Sequence, residues 1–136
     1  MRTNVYIDGF NLYYGALRGT AYKWLNPWLM CQALLPQHQI VELKYFTAHL
    51  LRDAYSSSAD AYVLVTNDSD LAEPIRIVRQ ELNARVGVLN PHRKPAHKLR
   101  KVASFLKPIR KGVLGASQFA TTLHDANGTI TKPASW

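Results

Sequence analysis

Two kinds of apolar pattern alternate along the chain, short unbroken runs and runs with helical spacing. The clearest short run is residues 62–65 (YVLV), which leads directly into the polar cluster of residues 66–70 (TNDSD). An unbroken β-branched and aromatic run of this length is typical of a parallel strand that is covered on both faces. Residues 4–7 and 86–89 have the same character. We therefore predict three buried strands at these places.

Helices are predicted in the intervals between these strands. After Asp70 the apolar residues recur at three- and four-residue spacing, which predicts an amphipathic helix. These residues are Leu71, Ile75, Val78 and Leu82. Asn26 followed by Pro27 is typical of a helix start, and Pro36 would end that helix. Shorter helices are predicted over residues 12–17 and 49–55 and from residue 96.

Two further strands complete the predicted sheet. Residues 40–47 alternate between apolar and charged side chains, so this strand should have a wetter face and lie nearer the sheet edge. Residues 105–109 are predicted as a final short strand. Strands that alternate with helices predict an α/β fold with a mainly parallel central sheet of about four to five strands, flanked by helices.

The length of the chain predicts a single domain over residues 1–136. With 136 residues, of which 47% are hydrophobic, the chain can form one ordinary core. Within this domain we distinguish a basic C-terminal region, residues 93–111, from a tail, residues 112–136. The tail is predicted to be a short helix followed by an irregular end.

The chain carries a formal charge of +8, and this charge is unevenly distributed. Residues 82–124 contain nine of the 17 Lys and Arg residues and no Asp or Glu. A block of one sign is the usual electrostatic signature of a polyanion-binding surface. A solvated basic face would have the same composition, and charge alone leaves these two interpretations equally open.

No feature of the sequence indicates secretion or a membrane. Cys31 is the only cysteine, so no internal disulfide can form, and it lies in an apolar run typical of a core. No window approaches the roughly 20 apolar residues that span a bilayer. The first residues lack the long apolar region of a signal peptide. We expect a cytoplasmic protein with no membrane partner.

Acidic residues follow two of the buried strands at the point where each strand ends. Asp8 comes directly after residues 4–7, and Asp68 and Asp70 follow residues 62–65. The carboxyl ends of parallel strands are the usual ligand sites of open α/β sheets. Converging carboxylates repel one another unless a cation is present, and hard oxygen ligands suit Mg²⁺ or Mn²⁺. The supporting polar residues are Asn11, Thr66, Asn67 and Ser69.

Helix capping is the simpler explanation for each acid taken alone. Asp70 could be the N-cap of the helix that follows it, and Asp8 could cap the next helix or close a turn with Gly9. Capping does not require that both strand-to-helix junctions carry Asp and Asn together. This conjunction favours a metal site, where a bound ion would activate water for phosphodiester hydrolysis.

Four segments together resemble the NYN domain family, a branch of the PIN-like metal-dependent nucleases. They are residues 4–15 (NVYIDGFNLYYG), 45–48 (YFTA), 62–75 (YVLVTNDSDLAEPI) and 86–92 (VGVLNPH). The resemblance implies a PIN-like three-layer sandwich, an acidic Mg²⁺ or Mn²⁺ site, and single-stranded RNA as substrate. By matching position, the acidic-site residues would be Asp8, Asn11, Asp68 and Asp70, with Thr66 and Asn67 beside them.

The chain departs from the family pattern at one place. Members usually carry an extra helix, a further strand and a Lys-Gly-Ser-Asp-type segment between the YFTA strand and the helix at residues 49–55. Here Ala48 is followed directly by His49, so the acid that this segment supplies is absent. Either the chain is an internally shortened member, or the sequence omits residues that belong there. Loss of a strand would expose a sheet edge, which predicts a homodimer.

The leading hypothesis is a Mg²⁺- or Mn²⁺-dependent ribonuclease in which Asp8, Asp68 and Asp70 hold the metal. The basic side chains expected to bind RNA phosphates are Arg93, Lys94, Lys98 and Lys101. The alternative is an RNA-binding or regulatory module that has lost hydrolysis. A phosphatase-like domain with an Asp nucleophile is disfavoured, because no downstream lysine and threonine set accompanies Asp8 or Asp68.

Several aromatic residues lie close in sequence to the first acid. Tyr13, Tyr14, Tyr22 and Trp24 could stack on RNA bases, as aromatic residues do in single-strand binders. Packing into the core or at its rim is the more common role for helix-face aromatics, and we expect it for most of these four.

Overall fold

The sheet at the centre of the protein has five strands, all parallel. The computed structural model describes residues 1–45 and 49–136. The strands lie in the order β2-β1-β3-β4-β5. Their bounds are Arg2–Ile7 (β1), Gln39–Lys44 (β2), Ala61–Val65 (β3), Arg85–Asn90 (β4) and Phe105–Pro108 (β5). The predicted α/β fold with a parallel central sheet is confirmed.

Six α-helices lie in the described part of the chain. They are Gly9–Leu12 (α1), Pro27–Leu34 (α2), Leu50–Tyr55 (α3), Ala72–Gln80 (α4), His97–Val102 (α5) and Lys111–Ala116 (α6). A π-helical turn, Tyr13–Leu17, continues α1 directly, and a 3₁₀ turn, Ser69–Leu71, precedes α4.

The helices form one layer on each face of the sheet. On one face, Val5, Ile7 and Val63 pack in a buried cluster with residues of α1, α2 and α6. On the other face, Tyr62 and Leu64 pack with residues of α3, α4 and α5. Successive strand residues point to opposite faces, and both faces are covered, so the strands have unbroken apolar sequences. The predicted three-layer sandwich is confirmed.

The local signals for two helices lead to the expected structures. The Asn26 side chain accepts hydrogen bonds from the backbone amides of Trp28 and Leu29, at 3.1 and 3.3 Å, and so caps α2. On α4, Ile75 and Val78 are fully buried, as the helical spacing predicts. These helices therefore begin with a satisfied cap or pack through an apolar stripe.

A buried ion pair fastens the edge strand β2 and helix α3 to β1. Asp53 of α3 is 6% exposed, and its Oδ2 accepts hydrogen bonds from the Tyr6 hydroxyl at 2.7 Å and the Lys44 ammonium at 2.6 Å. Burial raises the pKa of Asp53, but the hydrogen bonds from Lys44 and Tyr6 outweigh burial and hold this pKa below its ordinary value. The hydrogen bond to Asp53 raises the pKa of Lys44.

The strand order creates a crevice at the carboxyl edge of the sheet. β2 lies on one side of β1 and β3 on the other, so the connections that leave the carboxyl ends of β1 and β3 diverge. Open α/β sheets bind their ligands at such a topological switch point, and the order 2-1-3-4-5 has it between β1 and β3. Asp8 and Asp68, which follow these two strands, are thus placed at the crevice.

The tail differs from the prediction of an irregular end. After α6, the strands Thr122–Asp125 (β6) and Gly128–Thr131 (β7) form an antiparallel hairpin. The turn is closed by a hydrogen bond of 2.7 Å from the Asn127 amide to the Asp125 carboxylate, and Gly128 adopts a positive φ of 134°. Most hairpin residues are exposed, so the sequence lacks the apolar alternation that marks a half-buried strand.

The prediction of an edge strand over residues 40–47 is confirmed for residues 40–44, because β2 pairs only with β1. The last part of that prediction, residues 46–47, lies outside the described residues, as does residue 48. Across residues 1–45 and 49–136, no helix has both the length and the apolar character needed to cross a membrane.

Candidate functional site

Asp8 connects the carboxyl ends of β1 and β3. Its backbone amide donates to the Val65 carbonyl at 3.0 Å and so extends the ladder between the two strands. One carboxylate oxygen, Oδ1, accepts from the amide of Asn11 at 3.1 Å and caps α1. The other, Oδ2, accepts from the Thr66 hydroxyl at 3.2 Å. The capping alternative therefore accounts for one oxygen of Asp8, and the second oxygen faces the end of the neighbouring strand.

Thr66 is the buried link between the two strand ends. It is fully buried, and its amide continues the sheet by donating to the Leu89 carbonyl of β4 at 3.1 Å. Its hydroxyl donates to Asp8 and accepts from the backbone amide of Asp68 at 3.1 Å. One hydroxyl group thus fixes the direction in which the chain leaves β3 relative to the carboxylate at the end of β1.

Asp68, not Asp70, caps the helical turn that follows β3. Its Oδ1 accepts from the amide of Asp70 at 2.9 Å, and its extended backbone conformation is that of an N-cap. The alternative in which Asp70 is the N-cap is therefore wrong, because the 3₁₀ turn Ser69–Leu71 starts two residues earlier than the apolar spacing suggests. Asp70 is exposed in the first turn, and Ser69 is half-buried beside it.

Asn67 attaches the basic segment after β4 to the acidic strand end. Its side-chain amide donates to the Lys94 carbonyl at 3.0 Å, and its side-chain oxygen accepts from the Ala96 amide at 2.7 Å. Its own backbone amide donates to Oδ1 of Asn11 at 2.8 Å. In the sequence, Asn11 and Asn67 are candidates for orienting acids or metal-bound water. In the structure their side chains hold backbone segments together.

The predicted RNA-binding side chains lie on one exposed surface next to this site. Arg93, Lys94, Lys98 and Lys101 are all exposed. The first two precede α5, the last two belong to it, and α5 lies against the 3₁₀ turn Ser69–Leu71. The basic region and the acidic strand ends are therefore parts of one continuous surface.

His92 is a residue of this edge to which the sequence argument gave no role at the acidic site. A Cβ atom built on Gly15 would lie 2.7 Å from Cδ2 of His92 and 3.0 Å from the carbonyl carbon of Pro91. The π-helical turn and the loop after β4 are therefore in closest contact where residue 15 has no side chain. The glycine in the sequence NLYYG was the available signal, but its partner was identifiable only from the tertiary structure.

Exposed aromatic side chains follow Asp8 on α1 and on the π-helical turn. Phe10 is 82% exposed, Tyr14 57% and Tyr13 40%. The expectation that most of the aromatic residues pack inward is wrong for Tyr13 and Tyr14.

The other two aromatic candidates do pack against the rest of the protein. Tyr22 is half-buried against the core cluster of the α1 layer. Trp24 has edge contacts with Phe119 and Trp136, with ring centroids 6.1 and 5.8 Å apart.

The grouped oxygen donors fit a hard divalent cation in kind. Carboxylates of Asp8 and Asp68, with the Thr66 hydroxyl between their strands, are the ligand types that Mg²⁺ and Mn²⁺ prefer. No group of three or more His, Cys, Asp or Glu side chains within residues 1–45 and 49–136 has the arrangement of a metal site. The donor set therefore matches a Mg²⁺ site of one or two carboxylates completed by water and substrate phosphate, and not a three-carboxylate cage.

No protein-family model matches the sequence. The chain is similar to the 6-hydroxy-3-succinoylpyridine 3-monooxygenase of Pseudomonas putida, with 25% identity over 237 residues that include 100% of this chain and 75% of that protein. Because this chain has only 136 residues, the matched span includes stretches of the relative that have no counterpart here.

The fold is similar to that of a solved protein of unknown function from Vibrio parahaemolyticus. The TM-score is 0.63 at 14% sequence identity, and the match covers 81% of this chain and 93% of that chain. A likeness at this level of identity shows a common fold, and it carries no statement about activity.

Proposed function

We propose that this protein is a metal-dependent ribonuclease of the NYN and PIN-like kind. The observation that carries the proposal is the hydrogen bond between the Thr66 hydroxyl and Asp8, which joins the carboxyl ends of β1 and β3 at the switch point of the sheet. A carboxylate needed only as a helix cap would use one oxygen. Asp8 turns its second oxygen toward the strand that carries Asp68, where a shared ligand would bind.

Asp8 and Asp68 would hold Mg²⁺ or Mn²⁺ in this proposal. When bound, the ion would polarise the phosphodiester and lower the pKa of a water molecule. Thr66 orients both acids through its hydroxyl, and Asn11 positions Asp68 through the amide of Asn67. Asp70, exposed two residues beyond Asp68, belongs to the proposed catalytic set as an acid that is reachable by solvent and substrate.

RNA is the proposed substrate because the acidic edge lies beside a basic surface. Asn67 holds the backbone of Lys94 and Ala96, so the start of the basic segment is fixed relative to Asp68. A polyanion bound by Arg93, Lys94, Lys98 and Lys101 would therefore pass the acidic strand ends. Such contacts supply affinity and position without sequence preference.

The exposed aromatic side chains favour single-stranded RNA. Phe10, Tyr13 and Tyr14 follow Asp8 directly, and the guanidinium of Arg18 lies 5.4 Å from the centroid of the Tyr14 ring. Unpaired bases stack on such rings, whereas the bases of a duplex are already stacked on one another.

A second candidate is an RNA-binding module without hydrolysis. It is favoured by a specific observation, namely that Asp8, Asp68 and Asp70 do not form a cluster with the arrangement of a metal site. The family segment that would supply another acid has no counterpart between Ala48 and His49. This candidate shares the basic surface and the aromatic side chains with the first, and it differs in catalysis alone.

The deciding experiment measures cleavage of single-stranded RNA with Mg²⁺ or Mn²⁺. We expect the wild-type protein to cleave, chelation to abolish cleavage, and Asp8→Asn and Asp68→Asn to lose it while keeping the circular dichroism of the fold. Asp125→Asn is the matched control, because this acid lies in the exposed hairpin. Unchanged cleavage by Asp68→Asn would refute the ribonuclease proposal.

Two other outcomes would replace the proposal. Salt-sensitive RNA binding without cleavage under any divalent ion would establish the second candidate. Hydroxylation of 6-hydroxy-3-succinoylpyridine, the activity in the name of the Pseudomonas relative, would assign this chain to that chemistry instead.

A further inference from the structure

A groove runs along the free edge of β5, outside the acidic site. It consists of two cavities of about 230 Å³ each, which share Pro36 and Lys107 in their walls. The end of α2 and the residues that follow it form one side, and β5 forms the other. The groove is thus continuous along the edge strand that lies farthest from β2.

Cationic side chains line this groove, and no carboxylate does. His38, Arg85 and Lys107 line one cavity, and Lys107 and Arg110 line the other. Within residues 1–45 and 49–136, none of the three Lys and Arg side chains lies within 4.0 Å of a carboxylate oxygen. Uncompensated like charges in a concave surface raise the local concentration of anions.

An aromatic ring forms the floor between the cations. Phe105 lies so close over Gly87 that a Cβ atom there would be 2.0 Å from the ring. The Arg85 guanidinium is 5.4 Å and the Lys107 ammonium 5.7 Å from the ring centroid, and the His38 ring centroid is 5.9 Å away. Cation–π attraction holds these side chains around one ring and offsets part of their mutual repulsion.

The groove extends toward the acidic edge of the sheet. β5 has four residues and spans about 13 Å at roughly 3.3 Å per residue. At its carboxyl end, the Ile109 amide donates to the Asn90 carbonyl at 3.0 Å, and the Asn90 side chain accepts from the His92 amide at 2.9 Å. His92 is the residue that packs against Gly15 on the edge that carries Asp8. A strand bound along β5 would therefore continue onto the acidic edge.

We propose that this groove is a second RNA-binding site, in which Arg85, Lys107 and Arg110 bind phosphates of the strand that extends beyond the acidic edge. The identity of the polyanion as RNA rests on the proposed function. The shared chemistry is a phosphate group, and an RNA strand suits the groove better than a single free phosphate because the cations are distributed over two cavities in series.

His38 supplies a reporter for this site. Burial lowers its pKa, and the charges of Arg85, Lys107 and the N-terminus of Met1 lower it further. Its Nδ1 is 2.7 Å from the hydroxyl of Thr3, and its Nε2 has no hydrogen-bond partner in the described part of the protein. A phosphate bound beside these cations would favour the protonated imidazole, so the pKa of His38 should rise on binding.

The test uses the full chain with Asp68→Asn, so that bound RNA stays intact. Arg85→Gln and Arg110→Gln are combined in one variant, and Arg2→Gln with Arg52→Gln form the control that removes the same charge elsewhere. Lys107 is left unchanged, because its ammonium donates to the Leu34 carbonyl at the end of α2, at 3.1 Å. Fluorescence anisotropy measures the Kd for a trinucleotide and for longer single-stranded RNA at several salt concentrations.

The groove variant should bind longer RNA about tenfold more weakly than the control and lose about 0.7 of the log–log salt slope per phosphate contact. Its Kd for the trinucleotide should equal that of the control. By NMR, longer RNA should raise the pKa of His38 more than inorganic phosphate does.

Three results separate the explanations. Equal Kd values for the groove variant and the control at every RNA length would overturn the proposal. An equal rise in the pKa of His38 with inorganic phosphate, together with competition by phosphate alone, would also overturn it and define a free-phosphate site. Failure of the ribonuclease proposal has a different signature, because wild-type protein would then leave RNA uncut while binding in the groove persists.

Discussion

The backbone amide of Asn67 donates a hydrogen bond of 2.8 Å to Oδ1 of Asn11, which lies 56 residues earlier in the chain. Because the Asn67 side chain in turn holds Lys94 and Ala96, three separate segments meet at this one pair. The carboxyl edge of the sheet is thus held together by amide groups, while the carboxylates of Asp8 and Asp68 keep oxygens directed along the crevice.

Removal of this link should loosen the site more than the fold. We expect Asn11→Ala to lower the free energy of unfolding by about 1–2 kcal/mol, because a half-buried backbone amide would lose its acceptor. Urea denaturation measures this loss, and Gln32→Ala, an exposed change on α2, is the control. If the two variants are equally stable, the Asn11 bond contributes nothing to the edge.

The exposed aromatic residues should contribute to RNA affinity and little to stability. Phe10→Ala or Tyr14→Leu should each weaken binding of single-stranded RNA by about tenfold, since one stacked base is worth on the order of 1–3 kcal/mol. Trp28→Ala is the matched control, because Trp28 is 39% exposed on α2. Unchanged affinity in both variants would remove stacking from the proposal, and a loss of thermal stability would indicate a packing role instead.

Gly15 should tolerate no side chain. We expect Gly15→Ala to cost about 1–3 kcal/mol of stability by overpacking, because the new methyl group would press on the backbone of Pro91 and on His92. Gly112→Ala is the contrasting control, since no atom lies within 4 Å of a Cβ built there. That helical change should be neutral or stabilise by up to about 1 kcal/mol. Thermal denaturation with the same sign for both variants would contradict the close contact.

The ion pair of Asp53 should make stability depend on pH in acid. Its folded-state pKa is lowered, so the unfolded chain takes up the proton first, and the stabilisation is present above the ordinary carboxyl pKa and lost as the pH falls through the lowered value. At neutral pH, Asp53→Asn should cost about 3 kcal/mol, because Lys44 keeps a charge without its partner.

Urea denaturation at neutral and acidic pH tests this expectation. The difference in unfolding free energy between wild type and Asp53→Asn should shrink as the pH falls. Glu73→Gln, which breaks an exposed pair with Arg76, should change stability very little at any pH. A pH-independent difference for Asp53→Asn would mean that packing, not charge, carries the effect.

Self-association through β2 stays a prediction. β2 pairs only with β1 and leaves its other edge without a strand in the described part of the sheet, with Val41 and Leu43 half-buried there. Sedimentation should therefore show a concentration-dependent dimer, and Val41→Lys should shift it toward monomer, since an edge lysine disfavours strand pairing. A clean monomer of wild-type protein at high concentration would refute the prediction.

The sequence by itself determined the layers of the fold. Unbroken apolar runs at β1, β3 and β4 predict buried parallel strands, and the spacing of Ile75 and Val78 predicts the inward face of α4. These predictions succeed because burial on two faces or on one face imposes a period that a single segment records locally. The hairpin β6–β7 was missed for the same reason, since its exposed residues carry no such period.

The site was only partly determined by the sequence. Local pattern marks Asp8 and Asp68 as acids at strand ends, and it allows each of them to be a cap. Only the tertiary structure decides that Thr66 joins Asp8 to the end of β3, that Asn67 binds the segment at Lys94, and that the groove along β5 gathers Arg85 with Lys107. These pairs are distant in sequence or lie on different strands, and strand order, which no single segment encodes, brings them together.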